Sequence, residues 1–168
     1  MKRALYLLPL LLALLCSENV EAKKVKYPNG DYYVGKWKKK TPHGLGIMTY
    51  ANGNVYTGLW VYGVKNGEGR MTYNDGSIYE GTWEANKYHG YGTMNYKDDS
   101  IYEGEWRYGL KQGTGKLVSC TGGDCNIYEG EWSKDSFHGQ GKYTTSEGAV
   151  YEGSFYYGKK QGKGKEQT

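Results

Sequence analysis

Three histidines are the residues of this sequence that a metal site or a general base would use first. His43, His89 and His138 each precede a Gly-x-Gly, and no Ser, Cys or Asp stands directly beside any of them. In a sheet of consecutive strands they would lie four strands apart, roughly 19 Å at about 4.8 Å per strand. Zinc ligands must converge to about 2 Å from one ion. We therefore expect no metal, no cofactor and no catalytic residue, and a structural turn role for each histidine.

The histidines belong to a repeat that runs through the chain. A Tyr-x-Gly-x-Trp motif, with Phe for Trp in the last copy, starts at residues 33, 56, 79, 102, 128 and 151, and one interval is 26 residues where the others are 23. A second Gly-x-Gly follows each motif at a constant offset. A fixed short period predicts a stacked-repeat architecture. The predicted structural core is the set of motif rings: Tyr33, Trp37, Tyr56, Trp60, Tyr79, Trp83, Tyr102, Trp106, Tyr128, Trp132, Tyr151 and Phe155.

Each repeat predicts one antiparallel hairpin. Tyr56, Gly58 and Trp60 alternate on one face of a strand, and Gly69 and Met71 do so on the returning strand. Asn, Asp and Gly in the connections accept positive φ. With 27 Gly, 19 Tyr and a mean hydropathy of -0.81, aromatic rings packed on glycine are expected in place of an aliphatic core. We predict an all-β fold, an elongated twisted antiparallel meander of six stacked β-hairpins over residues 23–168.

The pattern resembles the MORN-repeat family over residues 27–168. The shared features are the Tyr-x-Gly-x-Trp motif, the following Gly-x-Gly with His before it in alternate units, and the closing aromatic and glycine turn. The resemblance implies hairpin stacks used for protein docking, self-association and membrane-linked scaffolding. It implies no catalytic residue, and phospholipid recognition does not follow from the repeat itself.

Residues 1–22 have the layout of a secretory signal peptide. Lys2 and Arg3 precede an apolar run over residues 4–15, and a polar stretch ends at Ala22. The run is well short of the roughly 20 residues that cross a bilayer. We predict cleavage after Ala22 and a secreted, periplasmic or cell-envelope location. Lipidation at Cys16 is the alternative left open.

Two cysteines lie in the one irregular interval of the repeat. Cys120 and Cys125 flank Thr121-Gly122-Gly123-Asp124. Facing residues at the end of a hairpin have Cα atoms about 4.5 to 5.5 Å apart, which suits a disulfide. Export would place the pair where disulfides persist. We predict a structural bridge, with a redox-active pair and two ligands of a metal as the alternatives left open.

The charges are unevenly distributed along the chain. Residues 23–40 carry seven Lys against Asp31 alone, residues 159–168 carry four Lys against Glu166, and the middle is mildly acidic. A nucleic-acid binder more often carries a continuous basic stripe, so nucleic acid is not expected as a partner. The basic ends have two interpretations: protection of exposed sheet edges, or binding to an anionic membrane or cell-wall polymer.

A second pattern alternates between units. Odd units carry Pro, Tyr or Phe before His-Gly, whereas even units carry Tyr-Gly-x-Lys. The alternation indicates either duplication history or loops that offer two alternating chemistries to an extended partner. The candidate partner-binding residues are Tyr62, Lys65, Tyr88, His89, Tyr108, Lys111, Phe137, His138, Tyr157 and Lys160.

The sequence predicts a non-enzymatic exported scaffold that mediates protein–protein interaction or assembly, with a homodimer left open. The alternative is an envelope-binding module for a polysaccharide or the anionic lipid of a membrane surface, acting through loop aromatics and basic ends. The carbohydrate version requires Tyr62, Tyr108, Phe137 and Tyr157 to protrude rather than fold inward.

Overall fold

The computed structural model describes residues 22–167. The predicted signal peptide and Cys16 lie outside the described residues, apart from Ala22. The described part contains thirteen β-strands and no helix, and therefore no helix able to cross a membrane. The strands are β1 Lys23–Lys26, β2 Tyr32–Lys38, β3 Thr41–Thr49, β4 Val55–Val61, β5 Val64–Thr72, β6 Ile78–Glu84, β7 Lys87–Asn95, β8 Ile101–Arg107, β9 Leu110–Thr121, β10 Asp124–Ser133, β11 Ser136–Thr144, β12 Val150–Tyr156 and β13 Lys159–Gln167.

The strand order in the sheet follows the order in the chain, which confirms the predicted all-β meander. The chain divides into two compact units, the first ending at Asn86 and the second beginning at Lys87. In the first unit, β1 to β6 pair in succession, all antiparallel. In the second unit, β7 to β13 pair in the same way.

The glycines of the repeat make room for the tyrosine rings. The Tyr56 ring lies over Gly58 and Gly69, which face each other across β4 and β5, and a Cβ on Gly58 would lie 2.6 Å from Tyr56 Oη. Real Cβ contacts are never that short, so only glycine fits there. The hydroxyl reaches past the glycines and donates to the Leu59 carbonyl at 3.0 Å. The same Tyr hydroxyl to backbone bond recurs in every unit, at Tyr33, Tyr79, Tyr102, Tyr128 and Tyr151.

The rings form an edge-to-face ladder that replaces an aliphatic core. Tyr56 packs at 5.0 Å on Trp60 of its own strand and at 5.2 Å on Trp83 of the next repeat, both close to perpendicular. Such pairs contribute about 0.5 to 1.5 kcal/mol beyond the area they bury. Eleven of the twelve predicted core rings are 5% exposed or less, and Trp37 is half-buried.

Each two-residue turn within a hairpin has positive φ at both positions. Tyr62 and Gly63, for example, have φ of 48° and 87°. This is the type I′ geometry, whose twist matches that of the flanking strands. It fixes which side chains project from the end of each hairpin.

The face opposite the rings is polar in the second unit. Lys116 faces Glu103 on one side and Glu129 on the other, and Lys142 faces Glu129 and Glu152. The Lys116 to Glu129 ion pair is 3.7 Å long and exposed. The register thus places opposite charges across neighbouring strands, and their contribution to stability is small at this exposure.

The predicted disulfide is present. Cys125 faces Cys120 across β9 and β10, with Cα atoms 4.1 Å apart and a sulfur to sulfur distance of 2.08 Å. The bridge closes the turn that contains Gly122 and Gly123, which is the irregular interval of the repeat.

Candidate binding surface at the hairpin turns

Three hairpin turns present an exposed tyrosine. Tyr62, Tyr108 and Tyr157 occupy the first turn position and are 49%, 56% and 67% exposed. Their φ angles are 48°, 52° and 47°, in the left-handed region that a bulky residue rarely adopts. In each case the next residue is glycine, which completes the turn. The backbone therefore directs these rings out of the ladder and towards solvent.

A histidine of the preceding repeat supports each exposed tyrosine. The ring centroids are 4.9 Å apart for His43 and Tyr62 and 5.3 Å apart for His89 and Tyr108. His138 lies 6.1 Å from Tyr157 and 5.3 Å from Tyr156. The Tyr62 backbone N–H also donates to His43 Nδ1 at 3.4 Å. The predicted turn role of the histidines is therefore wrong in detail, because they lie on β3, β7 and β11 and each packs on the turn tyrosine of the next hairpin.

The backbone ties the same turns to the preceding hairpin. The N–H groups of Gly63, Gly109 and Gly158 donate at 2.9 Å to the carbonyls of Pro42, Tyr88 and Phe137. The tyrosine rings consequently project from an anchored loop. Anchoring lowers the entropy that a partner must overcome on binding.

Two further hairpin turns, at residues 85–86 and 134–135, have a different chemistry. Asn86 and Asp135 are second turn residues whose side chains accept the backbone N–H groups of Lys65 and Lys111, both at 2.8 Å. The first residue of these turns is Ala85 or Lys134. From the second to the sixth repeat two kinds of turn therefore alternate, one with an exposed ring and one whose side chain bonds to the backbone of the preceding hairpin.

Two of the three even-unit lysines, Lys65 and Lys111, point inward, contrary to the expectation that they line the loops. Lys65 Nζ lies 4.5 Å from the Trp83 ring centroid and 5.4 Å from that of Tyr56. Lys111 takes the equivalent place against Tyr102 and Trp132 at 5.1 and 5.3 Å. The strand register explains this orientation. Lys65 pairs with Trp60 and Lys111 with Trp106 on the neighbouring strand, so each lysine lies on the same face of the sheet as the ring ladder. Lys160 lies over Tyr151 at 4.5 Å but remains exposed and pairs with Glu166.

Burial changes the acidity of the inward lysines. It lowers the pKa of Lys65 to about 8 from the usual 10.5. Burial also lowers the pKa of Lys111, while the Asp135 carboxylate opposes that change. The ring faces around both amines favour the charged form, which partly offsets desolvation.

Two of the candidate aromatics also fold inward. Phe137 stacks on Tyr128 with centroids 3.8 Å apart and an interplanar angle of 11°. Tyr88 packs on Trp106 at 5.1 Å. In the odd units they occupy the position that the inward lysines occupy in the even units. The carbohydrate interpretation required Phe137 to protrude, and it does not.

The described residues, 22 to 167, contain no group of three His, Cys, Asp or Glu that could hold a metal ion. The exposed chemistry of the turns is that of phenol rings beside cations. Lys38 Nζ lies 5.6 Å and Lys39 Nζ 6.0 Å from the Tyr62 ring, and the Arg107 guanidinium lies 5.7 Å from the Tyr108 ring. Such an arrangement suits contact with another macromolecule, since Tyr and Arg dominate the energetics of protein interfaces.

Comparison with known families identifies the repeat. The model described as MORN repeat matches residues 33–55, 56–78, 79–101, 102–124, 128–150 and 151–167. The chain belongs to the MORN-repeat family. The matched segments place one boundary of each MORN unit just before the motif tyrosine, as the sequence period predicts.

Comparisons with individual proteins add little to the MORN assignment. No curated protein sequence matches the chain. Among solved structures, the TCP domain of SAS-4 (dCPAP) of Drosophila melanogaster, in complex with a proline-rich motif of Ana2 (dSTIL), is 12% identical with a TM-score of 0.47. The similarity covers 79% of this chain and 72% of that one.

Proposed function

We propose that this protein is an exported, non-enzymatic MORN scaffold that binds another protein through the exposed tyrosines of its even hairpin turns. The observation that carries the proposal is the repeated pairing of an exposed turn tyrosine with a supporting histidine at Tyr62, Tyr108 and Tyr157. Large aromatic residues held rigidly at a surface lose little entropy when they become buried against a partner.

The turn tyrosines have no structural task that accounts for their exposure. The first position of a type I′ turn is most favourable for Asn, Asp or Gly, and a tyrosine there gives up that advantage. The ladder rings Tyr102 and Trp106 nearby are at most 5% exposed, whereas Tyr108 is 56% exposed. Binding is a physical reason for a large ring in this place.

In the second unit the geometry favours an extended partner. Tyr108 lies between β8 and β9, and Tyr157 between β12 and β13, which are four strands away. At about 4.8 Å per strand the two turns are roughly 19 Å apart. A partner that contacts both rings must span that distance, as six or more residues of extended chain do.

The envelope-binding function has less support from the turns. It depends on the basic ends and on loop aromatics, and the inward position of Phe137 removes one of its four candidate rings. Attraction of an anionic surface to the terminal lysines would fade as salt rises. A partner protein held by apolar rings would not be released in this way.

Site-specific cross-linking tests the proposal. A photoreactive benzoyl-phenylalanine replaces Tyr108 in one variant and Lys134, the equivalent first turn residue of the next hairpin, in the other. In cells of the source organism we expect irradiation to give a protein adduct from position 108 and none from position 134. Equal adducts from both positions, or none from either, would reject binding through the tyrosine turns.

Export is part of the same proposal and has its own readout. The mass of the purified product shows whether the chain begins at Lys23, and fractionation shows whether it leaves the cytoplasm. An intact N-terminus on a cytoplasmic protein would contradict export while leaving the turn chemistry unaffected.

A further inference from the structure

The second unit has a cavity on its polar face, the face of the sheet opposite the aromatic ladder. Its volume is about 420 Å³ and it opens to solvent. The cavity spans four neighbouring strands, since it is lined by Tyr91 of β7, Glu103 of β8, residues 114–116 of β9, and Glu129 and Gly130 of β10. Ligand pockets of proteins commonly measure about 300 to 1,000 Å³. The size therefore suits a small molecule or one or two units of a polymer.

One wall of this cavity departs from the repeat. The residue between the two glycines of the second Gly-x-Gly is aromatic only in the third unit, where it is Tyr91; the other units have Leu45, Glu68, Thr114, Gln140 and Lys163. The Tyr91 side chain is 58% exposed and lies on the opposite face from the ladder. Neither the ladder nor the hairpin turns account for a large ring in this place.

A hydrogen bond holds the Tyr91 ring against the cavity. Its hydroxyl donates to Glu103 Oε1 at 3.1 Å. Partial burial and this bond to the carboxylate raise the pKa of the Tyr91 phenol, so the hydroxyl keeps its proton and remains a donor. The ring is thereby positioned before a ligand arrives, which lowers the entropy lost on binding.

The carboxylates of the polar face fall into two groups. Glu105 accepts from the Thr114 backbone N–H and hydroxyl, both at 2.8 Å, and Glu131 accepts from a backbone N–H of β11 at 2.8 Å. Both stand at irregularities of the strand register, where they satisfy the backbone. Glu103 and Glu129 line the cavity instead. Their remaining oxygen lone pairs are available to a ligand.

The charges of the cavity favour a neutral ligand. Lys116 lies between Glu103 and Glu129 in the register, and its Nζ is 3.7 Å from Glu129 Oε2. An anionic ligand would meet two carboxylates, and a simple cation would meet the Lys116 amine between them. A neutral molecule that both donates and accepts hydrogen bonds, and that has an apolar face for the ring of Tyr91, matches every group present.

We propose that this cavity is a saccharide-binding site for a neutral hexopyranose unit of a polysaccharide. The apolar face of the sugar ring packs on Tyr91, its hydroxyls donate to Glu103 and Glu129, and Lys116 donates to a sugar oxygen. Because the cavity is open to solvent, the polysaccharide can continue beyond the bound unit. The site goes beyond the proposed function, since it uses a different face of the molecule from the turn tyrosines.

Isothermal titration calorimetry of the full chain tests the site. The probes are maltohexaose, cellohexaose and N-acetylchitohexaose, which are neutral and differ in linkage and substituent, and a hexamer of galacturonic acid is the anionic control. The cavity variants are Tyr91→Leu and Glu129→Gln. Leu45 already occupies the position of Tyr91 in the first unit, so leucine is compatible with the fold. Glu152→Gln is the matched control, because Glu152 has the repeat position of Glu129 but lies outside the cavity lining.

We expect at least one neutral hexasaccharide to bind equally at low and at high salt, and the galacturonic acid hexamer not to bind. Tyr91→Leu should weaken binding about ten-fold, the effect of losing one favourable ring contact. Glu129→Gln should weaken it about five-fold, because a charge-assisted hydrogen bond becomes a neutral one. Glu152→Gln and Tyr108→Ala should leave the affinity unchanged.

Four outcomes would overturn the inference. They are absence of binding for all three neutral probes, unchanged affinity in Tyr91→Leu, preferential binding of the anionic hexamer that fades with salt, and loss of binding in Tyr108→Ala. The third would assign the sugar to the basic ends and the fourth to the hairpin turns. Cross-linking from position 108 reports on the turns alone, so failure of the saccharide site and failure of the proposed function are distinguishable.

Discussion

At the scale of single residues, the inward lysines are where this MORN chain departs most from a simple aromatic stack. Lys65 occupies the place that Phe137 fills in an odd unit, so an amine lies where a ring also fits. The position could have been derived from the sequence by counting two residues outward on each side of the Tyr62-Gly63 turn, which pairs Trp60 with Lys65. The orientation of the turn tyrosines was less accessible, because a positive φ at Tyr62 depends on the turn type and on support from His43.

The lysine predicts a rise of stability with pH in the mildly alkaline range. Because the pKa of Lys65 is lowered to about 8 in the fold and is 10.5 in the unfolded chain, the unfolded state binds more protons between these values. The free energy of unfolding should therefore increase from pH 8 to about pH 9. At higher pH the trend reverses, because burial raises the pKa values of six ladder and turn tyrosines, to about 12 at Tyr50, Tyr96 and Tyr128, and the unfolded tyrosines ionise first.

Urea unfolding of Lys65→Met across this range measures the effect. Methionine keeps the apolar stem and removes the charge, so the rise between pH 8 and about pH 9 should become smaller. Lys160→Met is the matched control, since the Lys160 amine is exposed and paired with Glu166. An unchanged pH profile in Lys65→Met would show that the ring faces fully compensate the burial of the charge.

At the scale of elements, the hairpin is defined by the tyrosine ring lying on two facing glycines. The period of two, the fixed offset of the second Gly-x-Gly and the turn residues predict this element from sequence, and the register of Gly58 against Gly69 confirms the pairing. The unpaired indole N–H of Trp37 could not be predicted, because Trp37 stands in the same motif as Trp60, whose indole is paired. The repeat pattern also does not reveal that the indole N–H of Trp60 donates to the Gly46 carbonyl of the preceding repeat.

The ladder predicts a sharp contrast between two neighbouring aromatic residues. Trp106 is 5% exposed and hydrogen-bonded to Gly92, so Trp106→Ala should lower the free energy of unfolding by roughly 3 to 5 kcal/mol. Tyr108 is 56% exposed, and Tyr108→Ala should change it by no more than about 0.5 kcal/mol. Urea titrations of the two variants make the comparison. Similar losses from both would mean that the turn ring is part of the core.

At the scale of the whole molecule, the repeat accounts for the fold, whereas recognition of a partner depends on the exposed turns and the charged ends. The six copies and the absence of helical spacing predict the strand order from sequence, because every pairing joins neighbours in the chain. The partner cannot be predicted in this way, since the repeat pattern does not determine which residue occupies the exposed first position of each turn. The division of the turns into two kinds emerges only when the Asn86 and Asp135 side chains are seen to hold the preceding hairpin.

The most direct test of the central claim is capture of the partner by the full chain, tagged at its C-terminus, from solubilised envelope and culture medium of the source cells. Wild-type protein and a Tyr62→Ala, Tyr108→Ala, Tyr157→Ala variant are compared at low and at high salt. The account predicts one protein that wild type retains at both salt concentrations and that the triple variant loses while remaining folded. Retention by the variant, or recovery of only lipid or polysaccharide that high salt releases, would contradict it.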